Sequence, residues 1–242
     1  MAEGMALSRQ DDGVVLAVLE HGEGNLVTRQ MCDALTVYLR EPPDDAHILV
    51  LAPRGPNFCL GRERRAGTPQ ELREEVDALV ALNRALVTTR LVTVAKVNGD
   101  AAGYGVGLAA LCDVTVAAPA ARFWFPEVEM GLAPAVVLAW LPRLVGRKCA
   151  FQLTATGRKV FAAEAAQIGL VTAVAPSTDE LEAAVRDEVA GLTKHSPRVH
   201  GEIKEFLRAS ADLSQDQAGD LATEKLILGS MARAGERGSP SG

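Results

Sequence analysis

Short apolar runs alternate with helical patterns of hydrophobic residues through the first two thirds of the chain. Four of these runs predict β-strands, at Val14–Leu19, 47–52, 91–97 and Val114–Ala117. The run at 91–97 is continuous and rich in β-branched residues, which is typical of a strand buried on both faces. Strands that alternate with helices favour an α/β fold up to about residue 155.

Two helices are predicted between these strands. Thr28 is the expected N-cap of the first helix, whose buried face consists of Cys32, Leu35 and Leu39. The second helix starts at a capping box with a proline at its first position, Thr68-Pro69-Gln70-Glu71. Its predicted buried stripe consists of Leu72, Val76, Leu79 and Leu86.

Beyond residue 155 the pattern changes to helices alone. Helix start signals lie at 177–180, at Ser196-Pro197 and at 214–217. We expect this half to pack subunits rather than to carry chemistry, and we expect residues 234–242 to form a frayed end.

The charge of the chain limits its partners. Its net charge is −6 and its pI is about 5.3, whereas a nucleic-acid-binding protein needs a clustered basic face, so no nucleic-acid partner is expected. The dense basic run consists of Arg62, Arg64 and Arg65. We interpret it as a solvated loop, with contacts to a few phosphates of a small ligand as the alternative.

The cysteines and the N-terminus carry no sign of a metal site, a disulfide framework or secretion. Cys32, Cys59, Cys112 and Cys149 form no CxxC pair and have no histidine at metal spacing, so they are predicted to be small core residues. The first residues are polar and acidic, and no apolar run reaches the length of a membrane span. The predicted location is the cytoplasm, without a membrane partner.

Three segments carry the candidate chemistry, and the first is 57–62. Gly61 lies in a loop after a strand, where a glycine lets the backbone turn and the next N–H point into a cavity. Alone, this pattern favours a tight loop with a solvent-facing arginine over a ligand site.

The second segment, 98–113, is a glycine-rich turn that follows the buried strand and leads into an apolar helix. N–H groups at such a turn lie at a helix N-terminus, which favours an anion. The glycines fit neither GxGxxG nor the phosphate loop with its Lys-Ser or Lys-Thr pair, so nicotinamide or ATP binding is not favoured. A glycine hinge for close helix packing is the alternative.

The third segment, 123–132, places a carboxylate after an aromatic cluster and a proline. Apolar surroundings would raise the pKa of Glu127 toward the range that is useful for proton transfer. Glu129 is a competing carboxylate, and in an extended segment only one of the two would face a cavity.

In this order the segments resemble the crotonase family, the enoyl-CoA hydratase/isomerase superfamily. The resemblance spans Val14 to about residue 175. It rests on the motifs Phe58-Cys59-Leu60-Gly61, Ala95-Lys96-Val97-Asn98-Gly99, Leu108-Ala109-Ala110-Leu111-Cys112-Asp113, Pro126-Glu127-Val128, Gly131-Leu132-Ala133-Pro134 and Leu141-Pro142-Arg143-Leu144-Val145-Gly146.

The resemblance implies a spiral of ββα turns over residues 1–175 and a helical oligomerisation region over 176–242. It implies an acyl-CoA substrate, an oxyanion hole of the N–H groups of Arg62 and Tyr104, and Glu127 as the acid/base. Around the coenzyme it implies contacts from Cys59, Leu60, Gly61 and Gly103. Coenzyme A would be part of the substrate, without a prosthetic group or metal, and the assembly a homotrimer or hexamer.

Departures from the family pattern decide which reaction is expected. Hydratases commonly use two glutamates, and the first of them falls on Gly107, which we expect to face the acyl carbons and leave room for a larger acyl group. A single glutamate resembles the enoyl-CoA isomerases, so isomerisation is the first choice. The alternatives are a single-glutamate hydratase or lyase and a non-catalytic subunit.

Further departures concern the coenzyme and the thioester. Tyr104 stands where the family usually has glycine, so its ring is expected to turn away from the thioester or to shape the acyl pocket. Leu60 and Glu63 replace the usual alanine and aspartate. The chain stops soon after Leu226, where many relatives continue into a final helix, so weaker or borrowed coenzyme contacts are expected.

Overall fold

The computed structural model describes residues 3–65 and 67–238 of the chain. Nine strands occur within these ranges: β1 Met5–Arg9, β2 Val14–Leu19, β3 Ile48–Pro53, β4 Val92–Val97, β5 Ala101–Ala102, β6 Val114–Ala117, β7 Arg122–Trp124, β8 Val160–Phe161 and β9 Ala173–Val174. Six of them form the main sheet in the order β1-β2-β3-β4-β6-β9, and β5-β7-β8 form a smaller sheet. The predicted α/β fold is confirmed.

Most of the main sheet is parallel. β1 pairs antiparallel with β2, and every following neighbour in the sheet is parallel. β4 is buried along nearly its whole length, as its continuous β-branched sequence predicts. The smaller sheet pairs β5 with β7 directly after β4, and thereby fixes the glycine-rich turn that follows.

The helices of the described residues connect and cover these sheets. They are α1 Arg29–Arg40, α2 Pro69–Thr88, α3 Tyr104–Ala110, α4 Ala135–Leu138, α5 Leu141–Val145, α6 Arg147–Thr156, α7 Ala162–Gln167, α8 Leu181–Thr193, α9 Pro197–Ser210 and α10 Gln215–Gly238. A 3₁₀ helix, Pro126–Met130, lies between β7 and α4.

Both predicted N-caps of the first two helices are present. Thr28 Oγ1 accepts a hydrogen bond from the N–H of Met31 at 3.1 Å. Thr68 and Glu71 form the reciprocal capping box, with 3.2 Å from the Glu71 N–H to Thr68 Oγ1 and 2.9 Å from the Thr68 N–H to Glu71 Oε2. The start of α2 is therefore well defined, although a loop precedes it.

The buried residues form two clusters, one on each side of the main sheet. The larger cluster joins the sheet to α1, α2, α3 and the smaller sheet. The second cluster joins the opposite face of the sheet to Leu181 and Val185 of α8. Because α8 completes this second cluster, the predicted boundary between residues 175 and 176 does not separate two independent cores.

Several details of the predicted elements are wrong. β8 and β9 follow residue 155, where only helices were expected, and each has two residues. The expected frayed end belongs to α10 as far as Gly238, and residues 239–242 lie outside the described ranges. By contrast, α8 begins at Leu181, directly after the start signal at 177–180, where the Glu180 N–H donates to Ser177 Oγ and the Ser177 hydroxyl donates to Glu180 Oε2.

Candidate functional site

The three predicted segments meet at one cavity of about 680 Å³. Its wall is mainly apolar, and its charged residues are Arg62, Arg64, Glu127 and Glu129. The apolar part comes chiefly from α2 and from the chain that follows the 3₁₀ helix: Leu72, Val76, Leu79, Met130, Leu132, Val136 and Val137.

The loop 57–62 is held against the turn at 98–103. The N–H groups of Phe58 and Cys59 both donate to the carbonyl of Asp100, at 3.0 and 3.2 Å. The Ala102 N–H donates back to the Cys59 carbonyl at 2.9 Å. These bonds bring Gly61, with a φ of +117°, to the cavity wall beside the start of α3.

Two glycines are required at this junction. A Cβ on Gly105 would lie 2.0 Å from the carbonyl oxygen of Cys59, so α3 can approach the loop only without a side chain there. Gly103 has a φ of +52°, and a Cβ on it would lie 2.8 Å from Glu127 Oε1. The absence of a side chain at Gly103 therefore makes room for the Glu127 carboxylate.

Two backbone N–H groups at the cavity wall are unpaired. The neighbours of Arg62 are bound, because Val27 donates to the Gly61 carbonyl and Glu63 donates to the Val27 carbonyl. Within residues 3–65 and 67–238, neither the Arg62 N–H nor the Tyr104 N–H has a hydrogen-bond partner. Both residues line the cavity. They can therefore donate to a bound ligand without breaking a bond of the protein.

Glu127 lies near the start of the 3₁₀ helix, with its carboxylate against Gly103. It is partly buried, and its Oε2 is buried without a hydrogen-bond partner among the described residues. Burial raises the pKa of Glu127 above its ordinary value of 4.5, and the positive charges of Arg64 and Arg62 offset only part of this effect. A half-buried carboxyl with a free oxygen is suited to accept and return a proton.

Glu129 also lies on the wall of the cavity. Residues 126–130 form a 3₁₀ helix rather than an extended segment, so the prediction that only one of the two carboxylates faces the cavity is wrong. The two differ in environment, since Glu129 is exposed and Glu127 is half-buried.

The three arginines of the basic run have separate surroundings. Arg62 Nη1 lies 2.8 Å from Glu75 Oε2, and both side chains are largely buried. Arg65 Nε lies 2.8 Å from Glu63 Oε2. Arg64 is exposed on the cavity wall. The run is therefore not a cluster of free cations.

Of the remaining predicted ligand contacts, Leu60, Gly61 and Gly103 line the cavity, but Cys59 does not. Cys59 is completely buried, its thiol donates to the Gly61 carbonyl at 3.3 Å, and burial raises its pKa to about 12. Cys59 therefore stabilises the loop that forms the cavity wall and does not contact a ligand in the cavity.

Gly107 does not lie where the sequence prediction places it. It is buried and does not line the cavity, and a Cβ on it would lie 3.2 Å from Cζ2 of Trp140. The prediction that Gly107 leaves vacant space for a larger acyl group is therefore wrong, because the indole ring of Trp140 occupies that space. No sequence pattern pointed to Trp140, which follows α4 and comes to Gly107 only through tertiary packing.

Leu72 and Val76 were predicted to be part of a buried core stripe. Leu72 is 44% exposed, and both side chains line the cavity instead. Helical periodicity identifies the apolar face of α2 but does not say whether that face meets the core or a ligand.

Neither a metal-binding cluster nor a membrane-spanning helix occurs among the described residues. The part of the chain that the structure describes contains no group of three or more His, Cys, Asp or Glu side chains placed to hold a metal ion. Within the same residues, no helix combines the length and apolarity that crossing a membrane requires.

Comparison with known proteins gives a consistent result. The sequence profile of the family described as enoyl-CoA hydratase/isomerase matches residues 10–237. An enoyl-CoA hydratase of Alternaria alternata is 30% identical, over 86% of this chain and 70% of its own length. The 2,3-dehydroadipyl-CoA hydratase of Escherichia coli is 37% identical, over 71% of this chain and 64% of its own length.

The fold is also similar to solved structures. An enoyl-CoA hydratase/isomerase family protein from Silicibacter pomeroyi matches with a TM-score of 0.88 and 26% identity, over 98% of this chain and all of the other. Hydratase is the commoner name among the related proteins, although isomerase names also occur.

Proposed function

This chain belongs to the enoyl-CoA hydratase/isomerase family, whose substrates are acyl-CoA thioesters, and we propose that it moves the double bond of an enoyl-CoA by proton transfer through an enolate. The observation that carries the proposal is the position of Glu127. Its half-buried carboxylate lies against Gly103, one residue from the unpaired Tyr104 N–H.

In this proposal the Arg62 and Tyr104 N–H groups bind the thioester oxygen. Removal of a proton next to the thioester carbonyl converts that oxygen into an enolate oxyanion. Two donors that are already oriented stabilise the developing charge more than they stabilise the neutral carbonyl, and so lower the barrier. The conformation of Gly61 and the packing of α3 on the loop 57–61 hold the two donors in place.

Glu127 transfers the proton in both halves of the reaction. As a carboxylate it removes a proton from one carbon of a 3-enoyl-CoA, and as a carboxylic acid it returns that proton to the carbon two positions away. Burial raises its pKa above the ordinary 4.5, which makes the carboxylic acid form easier to reach than in an exposed glutamate. One acid/base on one side of the enolate is sufficient for such a shift. Coenzyme A takes part only as the carrier of the acyl group, and the steps need no prosthetic group or metal.

The surroundings of Gly107 favour isomerisation over hydration. Water addition needs a group that holds the water, and the position that matches the first glutamate of the two-glutamate hydratases is a glycine covered by the Trp140 ring. A carboxylate there would have to displace the indole.

Hydration is the second candidate, and one observation favours it. Glu129 lines the same cavity as Glu127, so a second carboxylate is present, although at another position. Hydratase names among the relatives point the same way.

We also propose that the protein assembles as a homotrimer or hexamer. Large apolar side chains outside the cavity are exposed in the single chain, among them Phe151 at 72% and Phe161 at 57%. Light scattering on the purified protein measures the assembly.

A paired assay tests the activity. Double-bond migration in 3-hexenoyl-CoA and water addition to crotonyl-CoA are measured for the wild type, Glu127→Gln and the matched control Glu129→Gln. We expect migration to exceed hydration in the wild type, to fall by about 10²-fold or more in Glu127→Gln and to persist in Glu129→Gln. Efficient hydration without migration, lost in Glu129→Gln, would establish the hydratase instead.

Binding separates an enzyme from a non-catalytic subunit. Glu127→Gln retains the shape of the cavity, so thermal stabilisation by coenzyme A thioesters should persist in this variant. Wild-type protein that binds these thioesters but turns over neither substrate would support the non-catalytic alternative.

A further inference from the structure

The Tyr104 side chain is a buried wall of the cavity. Tyr104 is the first residue of α3 and is 5% exposed, and it lines the cavity together with Leu79 of α2. Its phenol donates a hydrogen bond to the Leu79 carbonyl at 3.0 Å. The ring therefore bridges α3 and α2, and its polar end is satisfied within the protein.

The position of this ring is fixed at both ends. On the backbone side, α3 is pressed against the loop, because a Cβ on Gly105 would lie 2.0 Å from the Cys59 carbonyl oxygen. On the phenol side, the acceptor is a carbonyl in the middle of a 20-residue helix. Swinging the ring out would break this buried hydrogen bond and leave the phenol without its acceptor.

Small side chains lie around the far end of the ring. Cys32 of α1 is completely buried, and burial raises its pKa to about 12, an effect that the nearby Tyr104 phenol offsets in part. Burial raises the pKa of the Tyr104 phenol well above its ordinary value of 10, and Cys32 and then Cys59, which is also completely buried, add to this rise. Neither cysteine lines the cavity, so the ring extends from the cavity wall into the core.

We propose that the Tyr104 ring is a specificity-determining wall that limits the length of the acyl chain beside Glu127, so that short-chain acyl-CoA thioesters are the preferred substrates. This inference rests on the proposed function, in which the Tyr104 N–H binds the thioester oxygen. A thioester bound at that N–H begins its acyl chain next to the ring of the same residue. A chain that extends toward Leu79, whose carbonyl accepts the phenol hydrogen bond, meets the ring of Tyr104.

Removing the ring while retaining the backbone is the direct test. Tyr104→Ala and Tyr104→Leu shorten the wall, whereas Tyr104→Phe retains its volume and removes the bond to Leu79. The chain has two tyrosines, and Tyr38→Phe is the matched control, because Tyr38 lies on α1 away from the cavity wall. The readout is the ratio of kcat/KM for 3-dodecenoyl-CoA to that for 3-hexenoyl-CoA, which a general loss of stability does not change.

We expect this ratio to rise by about 10-fold or more in Tyr104→Ala, since each methylene that fits an apolar pocket contributes roughly 10-fold or more. Tyr104→Leu should also raise this ratio. If the alanine variant does not fold, the leucine variant tests whether the ring limits chain length. Tyr104→Phe and Tyr38→Phe should leave it within about 3-fold of the wild type. An unchanged ratio in both shortened variants, or an equal rise in Tyr104→Phe, would overturn the proposal.

Binding of saturated thioesters separates this proposal from the proposed function. The dissociation constants of butyryl-CoA and dodecanoyl-CoA need no chemistry, and their ratio should shift toward the longer chain in Tyr104→Ala. A protein without turnover that still shows this shift would disprove the isomerase but retain Tyr104 as the length-limiting wall. A wild-type protein that binds dodecanoyl-CoA at least as tightly as butyryl-CoA would overturn the proposal itself.

Discussion

The burial of the Glu127 carboxyl group makes the free energy of unfolding depend on pH. Burial raises its pKa in the folded state above the ordinary 4.5. Between these two pKa values the folded protein binds more protons than the unfolded chain, so this group makes stability fall as pH rises. Above the folded pKa the destabilisation is complete, and below 4.5 it is absent.

Glu127→Gln should remove this pH-dependent cost. The stability of the variant relative to wild type is expected to increase from pH 4 upward and to level off above the folded pKa of Glu127. Urea unfolding at several pH values measures this difference, and a constant difference between pH 4 and pH 8 would contradict the raised pKa. In the wild type, kcat/KM should rise on its acid side with an apparent pKa above 4.5, because the free enzyme needs the carboxylate.

Gly103 tests how closely the carboxylate position is fixed. Gly103→Ala places a methyl group 2.8 Å from Glu127 Oε1 and should displace the carboxylate. A displacement of about 1 Å can cost 10²-fold, so we expect kcat/KM to fall by about that factor. Gly22→Ala is the control, because Gly22 also has a positive φ, +60°, but no neighbour within 4 Å of the new Cβ. An equal loss of activity in the two variants would show that backbone strain, not contact with Glu127, is responsible, and wild-type activity in Gly103→Ala would show that this contact does not fix the carboxylate.

Sequence reasoning at the residue scale succeeded where chemistry has a local pattern. The glycine loop, the turn before α3 and Glu127 were each identified from neighbouring residues, and the structure brings all three to one cavity. It failed at Gly107, since the residue that fills its space is Trp140, 33 positions away along the chain. Cys59 was assigned to the cavity because it lies in the right segment, but its side chain faces the core. A motif identifies a segment more reliably than it identifies which side chains face a ligand.

At the element scale, α2 combines two roles along its length. Its first turns place Leu72 and Val76 on the cavity, whereas Leu79 lines both the cavity and the core and Leu86 is completely buried. The capping box at Thr68 fixes the start of α2 and thereby the turns of the helix that face the cavity. Periodicity predicted one continuous stripe, and only the packing of neighbouring elements divides it. The strands β8 and β9 were missed because two residues are too few to show an alternating pattern.

A pair of substitutions separates the two roles of α2. Leu72→Ala should change the free energy of unfolding by no more than about 0.5 kcal/mol, because the side chain is half exposed, but should raise KM about 10-fold. Leu86→Ala should cost about 2–5 kcal/mol and leave the KM of the remaining folded protein unchanged. Chemical denaturation and steady-state kinetics measure both. If Leu72→Ala destabilised the protein as much as Leu86→Ala, the predicted core stripe would be correct after all.

At the scale of the whole molecule, the helices beyond residue 175 are joined to the sheet by apolar and polar contacts. α8 completes the second buried cluster through Leu181 and Val185. α9 adds a polar contact, since Lys204 Nζ lies 2.7 Å from both the Leu91 carbonyl oxygen and Asp113 Oδ2. The role of residues 176–242 in oligomerisation stays a prediction. These residues do not form a core separate from that of residues 1–175, because α8 packs on the sheet.

Lys204→Met tests this connection in the full chain. The methionine retains most of the apolar stem but removes the Lys204 bonds to the Leu91 carbonyl and to Asp113, which keeps its bonds to Thr93. Because the Lys204 side chain is 12% exposed, we expect a loss of about 1–3 kcal/mol and faster hydrogen exchange in α9. Lys225→Met is the control, since the partner of Lys225 is the exposed Glu205 on the same helical layer. If α9 exchanged equally fast in the two variants, the Lys204 contact would not hold α9 on the sheet, and the apolar face of α8 alone would have to anchor the helical region.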